Sequence, residues 1–275
     1  MKTFEEVKEE LLHRAKEAGA CTAGYKMGLD ANNKADLLKA ITENWWWVFV
    51  SAKIINAEYL ETNFTEDELN EAGVYTRGVH EAKIKAFAFG SATVEVYDSA
   101  TVEAFDSATV EAFGSATVKA FGSATVEVYD SATVEVYDSA TVKAFGSATV
   151  EAFGSATVEA FDSATVEAFD SATVKAFGNA TVEAFGSATV EVYDSATVEV
   201  YDSATVKAFG SATVEAFGSA TVEAFGSATV EAYDNSYVED CTGNIRPADG
   251  YAIVKDYSHK KIYIKKGKFE IIEID

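Results

Sequence analysis

The chain has 275 residues, 48% of them hydrophobic, and carries a formal charge of −23 at neutral pH. Nucleic acid and anionic membrane both demand basic surface, so neither is expected as a direct partner, and the apolar content excludes a wholly disordered chain. The longest apolar run, residues 45–50, falls far short of the ~20 residues of a membrane-spanning helix, and Cys21 and Cys241 lie too far apart in the chain to make a disulfide framework.

Residues 1–74 read as a small helical domain. Thr3 and Glu6 form a capping box, after which Phe4, Val7, Leu11 and Leu12 recur at helical spacing to about Glu17. This amino terminus turns acidic at once and has no apolar stretch, so it does not read as a secretory signal; a cytoplasmic location with reduced thiols is expected. Gly19-Ala20-Cys21-Thr22-Ala23-Gly24 breaks the first helix, and Cys21 is expected to be buried rather than reactive. A second helix is predicted over residues 34–44, with Leu37, Leu38 and Ile41 on one face, continuing through Trp45, Trp46 and Trp47 to Ile54 and Ile55. Successive residues point in different directions around a helix, so one or two of the tryptophans are expected in the domain's core. A last short helix, capped by Thr65 and Glu68, ends at Gly73. Residues 75–90 are a transition in which Ile84, Ala86, Ala88 and Phe89 begin a strand pattern.

From Ser91 to Asp234 the chain is eighteen unbroken copies of one octapeptide, Ser-Ala-Thr-Val-(Glu/Lys)-(Ala/Val)-(Phe/Tyr)-(Gly/Asp), with Asn179 the sole replacement at the first position. Residues 235–242 are a degenerate nineteenth copy. Fixed-period self-similarity outranks local propensity as a fold signal, and eight residues is far shorter than any common helical repeat. Thr, Val and the aromatic favour strand, while Gly/Asp followed by Ser is turn chemistry. Because the period is even, alternation survives from unit to unit: the second, fourth and sixth positions (Ala, Val, Ala/Val) share one face, and Ser, Thr, Glu/Lys and the aromatic share the other. Long rows of Glu cannot be buried, so the Ala/Val face points inward. A core so thin suits two apposed sheets with one octapeptide each. The predicted fold is therefore a parallel β-solenoid of sixteen residues per coil, spanning residues 75–242 with its transition. Nine coils would extend about 43 Å at ~4.8 Å per strand. A three-sided coil of twenty-four residues is the alternative, but Ala and Val would fill its wider interior poorly.

The repeat holds 4 Lys against 14 Glu and 9 Asp, a net −19 that accounts for most of the chain's charge. With two units per coil, the odd-unit face places Lys143, Lys175 and Lys207 each between glutamates, as cross-strand pairing prefers. The even-unit face sets Lys119 against Glu103, Glu135, Glu151, Glu167, Glu183, Glu199, Glu215 and Glu231, and these eight are the candidate interaction surface. The aromatic row is expected on the outer face or rim, half-shielded and stacked on itself; a corner at the following Gly/Asp that turns the rings inward is the alternative. The Ser-x-Thr rows resemble the flat ladders of ice-binding solenoids, but a Glu or Lys two residues on disrupts such a surface. Glutamate rows could bind divalent cations weakly, yet they lack the curved carbonyl-rich loops of a dedicated calcium site.

Residues 243–275 alternate apolar and polar in short runs at 251–254, 261–264 and 268–274. They are predicted to be strands of a β cap, which a repeat array needs to close its open sheet edge. Lys260, Lys261, Lys265, Lys266 and Lys268 would form its solvated face. His13, His80 and His259 are scattered, with no metal-ligand spacing and no paired nucleophile, so no cofactor, metal or catalytic site is expected.

The octapeptide array, together with Ala15-Lys16-Glu17-Ala18-Gly19-Ala20-Cys21 and Glu68-Leu69-Asn70-Glu71-Ala72-Gly73-Val74-Tyr75, resembles octapeptide-repeat β-solenoid proteins of gut bacteria and their phages. Those proteins have a short helical amino-terminal domain and repeats like Asn-Ser-Thr-Val-Arg-Ala-Tyr-Gly. The resemblance covers most of the chain and brings no activity with it. Glu or Lys stands here where those repeats have Arg, so a charge-based role would differ.

These readings lead to a non-enzymatic protein-binding or scaffold protein that presents a rigid acidic rod to a basic protein. A sharper version is a charge mimic of nucleic acid that blocks a DNA- or RNA-binding protein, and a different one is a phage or surface fibre component. An enzyme housed in the helical domain has no residues to support it.

Overall fold

The computed structural model describes residues 1–247 and 249–264; the expected strand at 268–274, with Lys265, Lys266 and Lys268, lies outside them. Each octapeptide contributes one four-residue strand, Thr-Val-(Glu/Lys)-(Ala/Val), from Thr93–Val96 to Thr229–Ala232. Every strand pairs in parallel with the strand two units on, so that Val94 opposes Val110 and Val150 opposes Val166. Among the described residues the nine odd units belong to a thirteen-stranded sheet and the nine even units to a twelve-stranded one, with strands from the flanking segments completing each. The coil therefore has sixteen residues and two sides.

In-register stacking puts like on like. The inward Ala and Val columns form one continuous core, nearly all of it without solvent exposure. Their small volumes set a short distance between the sheets, so a larger side chain has nowhere to go. Thr and Glu/Lys face outward.

The corners depend on the eighth position, where every residue takes a positive φ: Asp at 52° to 60° and Gly at 66° to 74°. Glycine adopts that region freely, and aspartate is among the few other residues that tolerate it. Along the even corner column Asp and Gly alternate throughout, as Asp106, Gly122, Asp138, Gly154, Asp170, Gly186, Asp202, Gly218 and Asp234, and the odd column alternates from Asp98 to Gly210. The alternation has a geometric cause. A Cβ on Gly146 would lie 3.0 Å from the Asp130 carbonyl oxygen, and the Gly146 N–H instead donates 3.2 Å to Asp162 Oδ2 on the next coil. Six other glycines do the same, including Gly114 to Asp130 and Gly186 to Asp202. Spacing the aspartates two coils apart also halves the density of like charge along each edge.

The amino-terminal domain packs α1 (Phe4–Glu17), α2 (Thr22–Asp30), α3 (Lys34–Glu43), a π-helical turn (Trp46–Ser51), α4 (Ala57–Asn63) and α5 (Glu66–Glu71). Both predicted capping boxes are present, at Thr3/Glu6 and Thr65/Glu68. Three expectations need correction. The segment after Gly19 does not stay a break, because α2 begins at Thr22 and runs through Gly24 and Gly28. Close packing overrides the poor helix propensity of glycine here: a Cβ on Gly24 would lie 2.9 Å from Asn44 Oδ1. Cys21 is exposed, not buried, because it caps α2, its Sγ accepting the Gly24 N–H at 3.4 Å. The tryptophan helix stops at Ser51, short of Ile54 and Ile55, where Lys53 takes φ 48°; Asn56 then caps α4, an additional helix.

At the far end, Ile253–Asp256 continues the thirteen-stranded sheet in parallel and Lys261–Ile264 pairs with it antiparallel. Among the described residues that reversal is where the parallel stacking of this sheet ends. Asp240, fully buried, is satisfied by the N–H groups of Thr242, Gly243 and Ile245.

Candidate functional site: an acidic row beside an aromatic ladder

The seventh position lies just past each strand, where the chain starts its corner, and its ring stays on the rim. The rings stack along the rod into two ladders with centroids 4.7 to 5.3 Å apart and planes within 4° to 13°. One ladder runs from Tyr97 to Phe225 on the odd side and the other from Phe89 to Tyr233 on the even side. Most rungs are half-buried, which agrees with the expected rim position. Each ladder lies directly beside the glutamate row of its own face. All six repeat tyrosines donate to the glutamate two residues earlier, as Tyr201 does to Glu199 at 2.6 Å. That bond to a carboxylate holds the proton on Tyr201 and pushes its pKa up to about 12.

The two faces differ in charge. On the odd face Lys143, Lys175 and Lys207 lie 3.9, 3.6 and 3.4 Å from Glu127, Glu191 and Glu223, which interrupts the acidic row. On the even face Lys119 pairs with Glu135 at 2.6 Å. Burial pushes the Glu135 carboxyl up, but Lys119 and the Tyr137 hydroxyl more than offset it and leave it below the usual range. Beyond Lys119 the row is unbroken: Glu135, Glu151, Glu167, Glu183, Glu199, Glu215 and Glu231 stack rung on rung. Seven of the eight candidate residues thus form one accessible line.

Glu103 does not belong to that line. The helical domain sits on the start of the even ladder, Trp45 lying 6.3, 6.1 and 6.0 Å from Phe87, Phe105 and Phe121, and Phe49 lying 4.8 Å from Phe89. Phe105 and Phe121 fall to 6% exposure and Glu103 to 3%. Burial raises the Glu103 pKa to about 7, with Lys85 and Lys119 opposing, and its Oε2 has no hydrogen-bond partner. The tryptophans therefore join the two parts of the chain: Trp45 faces the ladder and Trp46 is half-exposed beside Phe121.

Other features converge less. The helical domain holds an apolar cavity of about 380 Å³ between α1, α2 and α3, with Cys21 and Asn44 among its lining. A cleft of about 320 Å³ between Phe49, Lys53 and the ladder is flanked by Asp106 and Asp138. The histidines stay apart: His13 is near Glu17, His80 stacks on Tyr75, and His259 contacts Asp256. Among the described residues no group of three or more His, Cys, Asp or Glu converges to hold a metal ion, and no helix is long and apolar enough to cross a membrane.

Sequence reasoning found the acidic row but not the docking of the helical domain onto the ladder. The one signal for it was the break in pattern before the repeat, where Phe87 occupies the position that later rungs give to Glu or Lys. No protein-family model, curated protein or solved structure matches the chain.

Proposed function

We propose that the chain is a non-enzymatic protein-binding scaffold whose even face captures a basic protein. The observation that carries this reading is the line of seven glutamates, one per rung and unbroken by any lysine. At ~4.8 Å per rung the line extends about 29 Å. Its charges are held on a rigid framework, so a cationic partner meets a preformed field at no cost in ordering the rod, which favours fast, salt-sensitive encounter. The hydroxyls of Tyr137, Tyr201 and Tyr233 hold Glu135, Glu199 and Glu231 in place. The finer reading, mimicry of a nucleic-acid backbone, draws on the same regular spacing of one carboxylate per rung.

Affinity capture with the full chain tests both. Captured proteins are expected to be basic and to be lost steeply between about 50 and 200 mM salt, because exposed charges dominate. Under mimicry, duplex DNA or RNA displaces them. Capture of the same proteins with no response to salt would overturn the electrostatic reading, and salt-sensitive capture that nucleic acid does not disturb would leave scaffolding without mimicry.

A further inference from the structure

The geometry points to the even-side aromatic ladder beyond Tyr137 as a docking strip for a basic amphipathic helix that presents aromatic side chains four residues apart, a partner class that refines the acidic-scaffold reading and rests on it.

The chain itself supplies the precedent. Its π-helical turn runs along the ladder: Trp46 meets Phe121 at 5.8 Å, Trp45 meets Phe105 and Phe121, and Phe49 meets Phe89 and Phe105. Trp45 and Phe49 are four residues apart, and together they span the rungs from Phe89 to Phe121. Cations accompany the rings. Lys85 Nζ lies 5.8 Å from the Trp45 ring and 4.9 Å from that of Phe87, and Lys53 lines the cleft with Asp106 and Asp138. The ladder thus already accepts an aromatic helical segment whose own Lys53 lies beside the corner aspartates, while Lys85 stands on the rod's first strands.

This interface continues without a break into uncovered surface. Past Tyr137 the same ladder runs through Phe153, Phe169, Phe185, Tyr201, Phe217 and Tyr233 at spacings of 4.9 to 5.1 Å. The strip has acid on both sides, with Glu151, Glu167, Glu183 and their successors along one edge and the corner aspartates Asp170, Asp202 and Asp234 along the other. Ring faces are occupied by one another, so a partner meets ring edges, which favour the faces of other aromatics. Seven residues of helix rise about 10.5 Å, close to two rungs of about 9.6 Å, so one helical face can repeat its contacts along the ladder.

Glu103 shows why the partner must be basic. Covered by an apolar segment, it is left with an unpartnered oxygen, and Lys85 and Lys119 supply the opposing charge. Beyond Glu135 no lysine of this chain stands in the even row, so a docked helix must bring its own. The odd ladder lacks both the continuity with a docked segment and the unbroken acid.

The test uses the full chain and two fluorescein-labelled helical peptides of equal charge. One carries Trp and Phe four residues apart with lysines on both flanks; the other has Ala in place of both aromatics. The aromatic peptide is expected to bind at least tenfold more tightly. Phe169→Ser with Phe185→Ser should remove that advantage and leave the Ala peptide's affinity at the parent value, which also reports that the rod is folded; Phe161→Ser with Phe177→Ser on the odd ladder should change neither. If the serine variant does not fold, Phe169→Leu with Phe185→Leu keeps the apolar volume and should still weaken the aromatic peptide at least threefold. Equal binding of the two peptides overturns the docking strip while leaving the acidic scaffold standing. Binding of neither overturns both, and equal losses from the two ladders overturn the assignment to the even side.

Discussion

The Asp/Gly alternation makes a prediction at the one place where it lapses. On the odd side the column reads Asp98, Gly114, Asp130, Gly146, Asp162, Gly178, Asp194, Gly210 and then Gly226. Gly210 consequently lacks the carboxylate that Gly114, Gly146 and Gly178 receive from the next coil. Gly226→Asp should restore it. A Cβ there would lie 3.2 Å from the Gly210 carbonyl oxygen and 3.4 Å from its nitrogen, contacts that shift by a few tenths of an ångström relieve. The new bond contributes about 1 kcal/mol, and restricting the unfolded chain adds about 0.4–1 kcal/mol. Holding a non-glycine residue at φ 68° costs about 1 kcal/mol, less for Asp or Asn. The net gain is about 0.5–1 kcal/mol, or roughly 1–4 °C in Tm for a chain of this size. Gly226→Asn should follow Gly226→Asp, while Gly226→Ala, with the strain and no acceptor, should melt below the parent. Thermal unfolding by circular dichroism gives the ranking. Equal destabilisation by Asp, Asn and Ala would refute the bridging role of the corner carboxylates.

Further perturbations read the core, the junction and the tyrosines. Ala160→Leu, at a fully buried position, should cost roughly 1–3 kcal/mol or more by overpacking, and Thr157→Ser, on the exposed face, far less; equal losses in Tm would mean the faces are reversed. Glu103 has a folded-state pKa of about 7 against 4.5 for an ordinary glutamate, so it keeps its proton longer in the folded chain and folding is penalised as pH rises from about 4.5 to above 7, by up to about 3 kcal/mol. Glu103→Gln should therefore gain stability over the parent as pH rises through that window, and parallel Tm–pH curves for the two would contradict the burial. Alkaline titration followed by tyrosine absorbance should show Tyr201→Phe removing a component near pH 12; loss of one near pH 10 instead would refute the Glu199 bond.

The solenoid was legible because its period alone dictates stacking, and burial of Ala and Val was the sole solution that kept Glu in water. Coil size was legible too, from a signal the residue types carried twice. Small core residues argue for two sheets, and the paired order Asp, Asp, Gly, Gly resolves into alternation along the corners, broken at Gly226 alone, only when every second unit shares a column. At twenty-four residues per coil the column through Asp98 would read Gly122, Gly146, Asp170, Asp194 and Gly218, so that Gly122 would face another glycine in the next coil instead of an aspartate. The helical domain was less legible. Its α2 depends on Gly24 meeting Asn44 and its tryptophans on rings 42 to 76 residues away, contacts that no local pattern records. The acidic row was readable as charge, but the burial of Glu103 followed from where the domain docks.

The central claim is that partner binding belongs to the even face and not to the charge of the rod as a whole. Two charge-matched variants separate these. One converts Glu151, Glu167, Glu183, Glu199, Glu215 and Glu231 to Gln; the other converts Glu95, Glu111, Glu127, Glu159, Glu191 and Glu223 on the odd face. Each removes six negative charges from the same fold. The dissociation constant of the lysine-flanked Ala peptide, measured by fluorescence anisotropy at low salt, should rise at least tenfold for the even-face variant, about 1.4 kcal/mol, and less than threefold for the odd-face one. Equal losses from the two faces would contradict the account, because the peptide would then be responding to net charge alone.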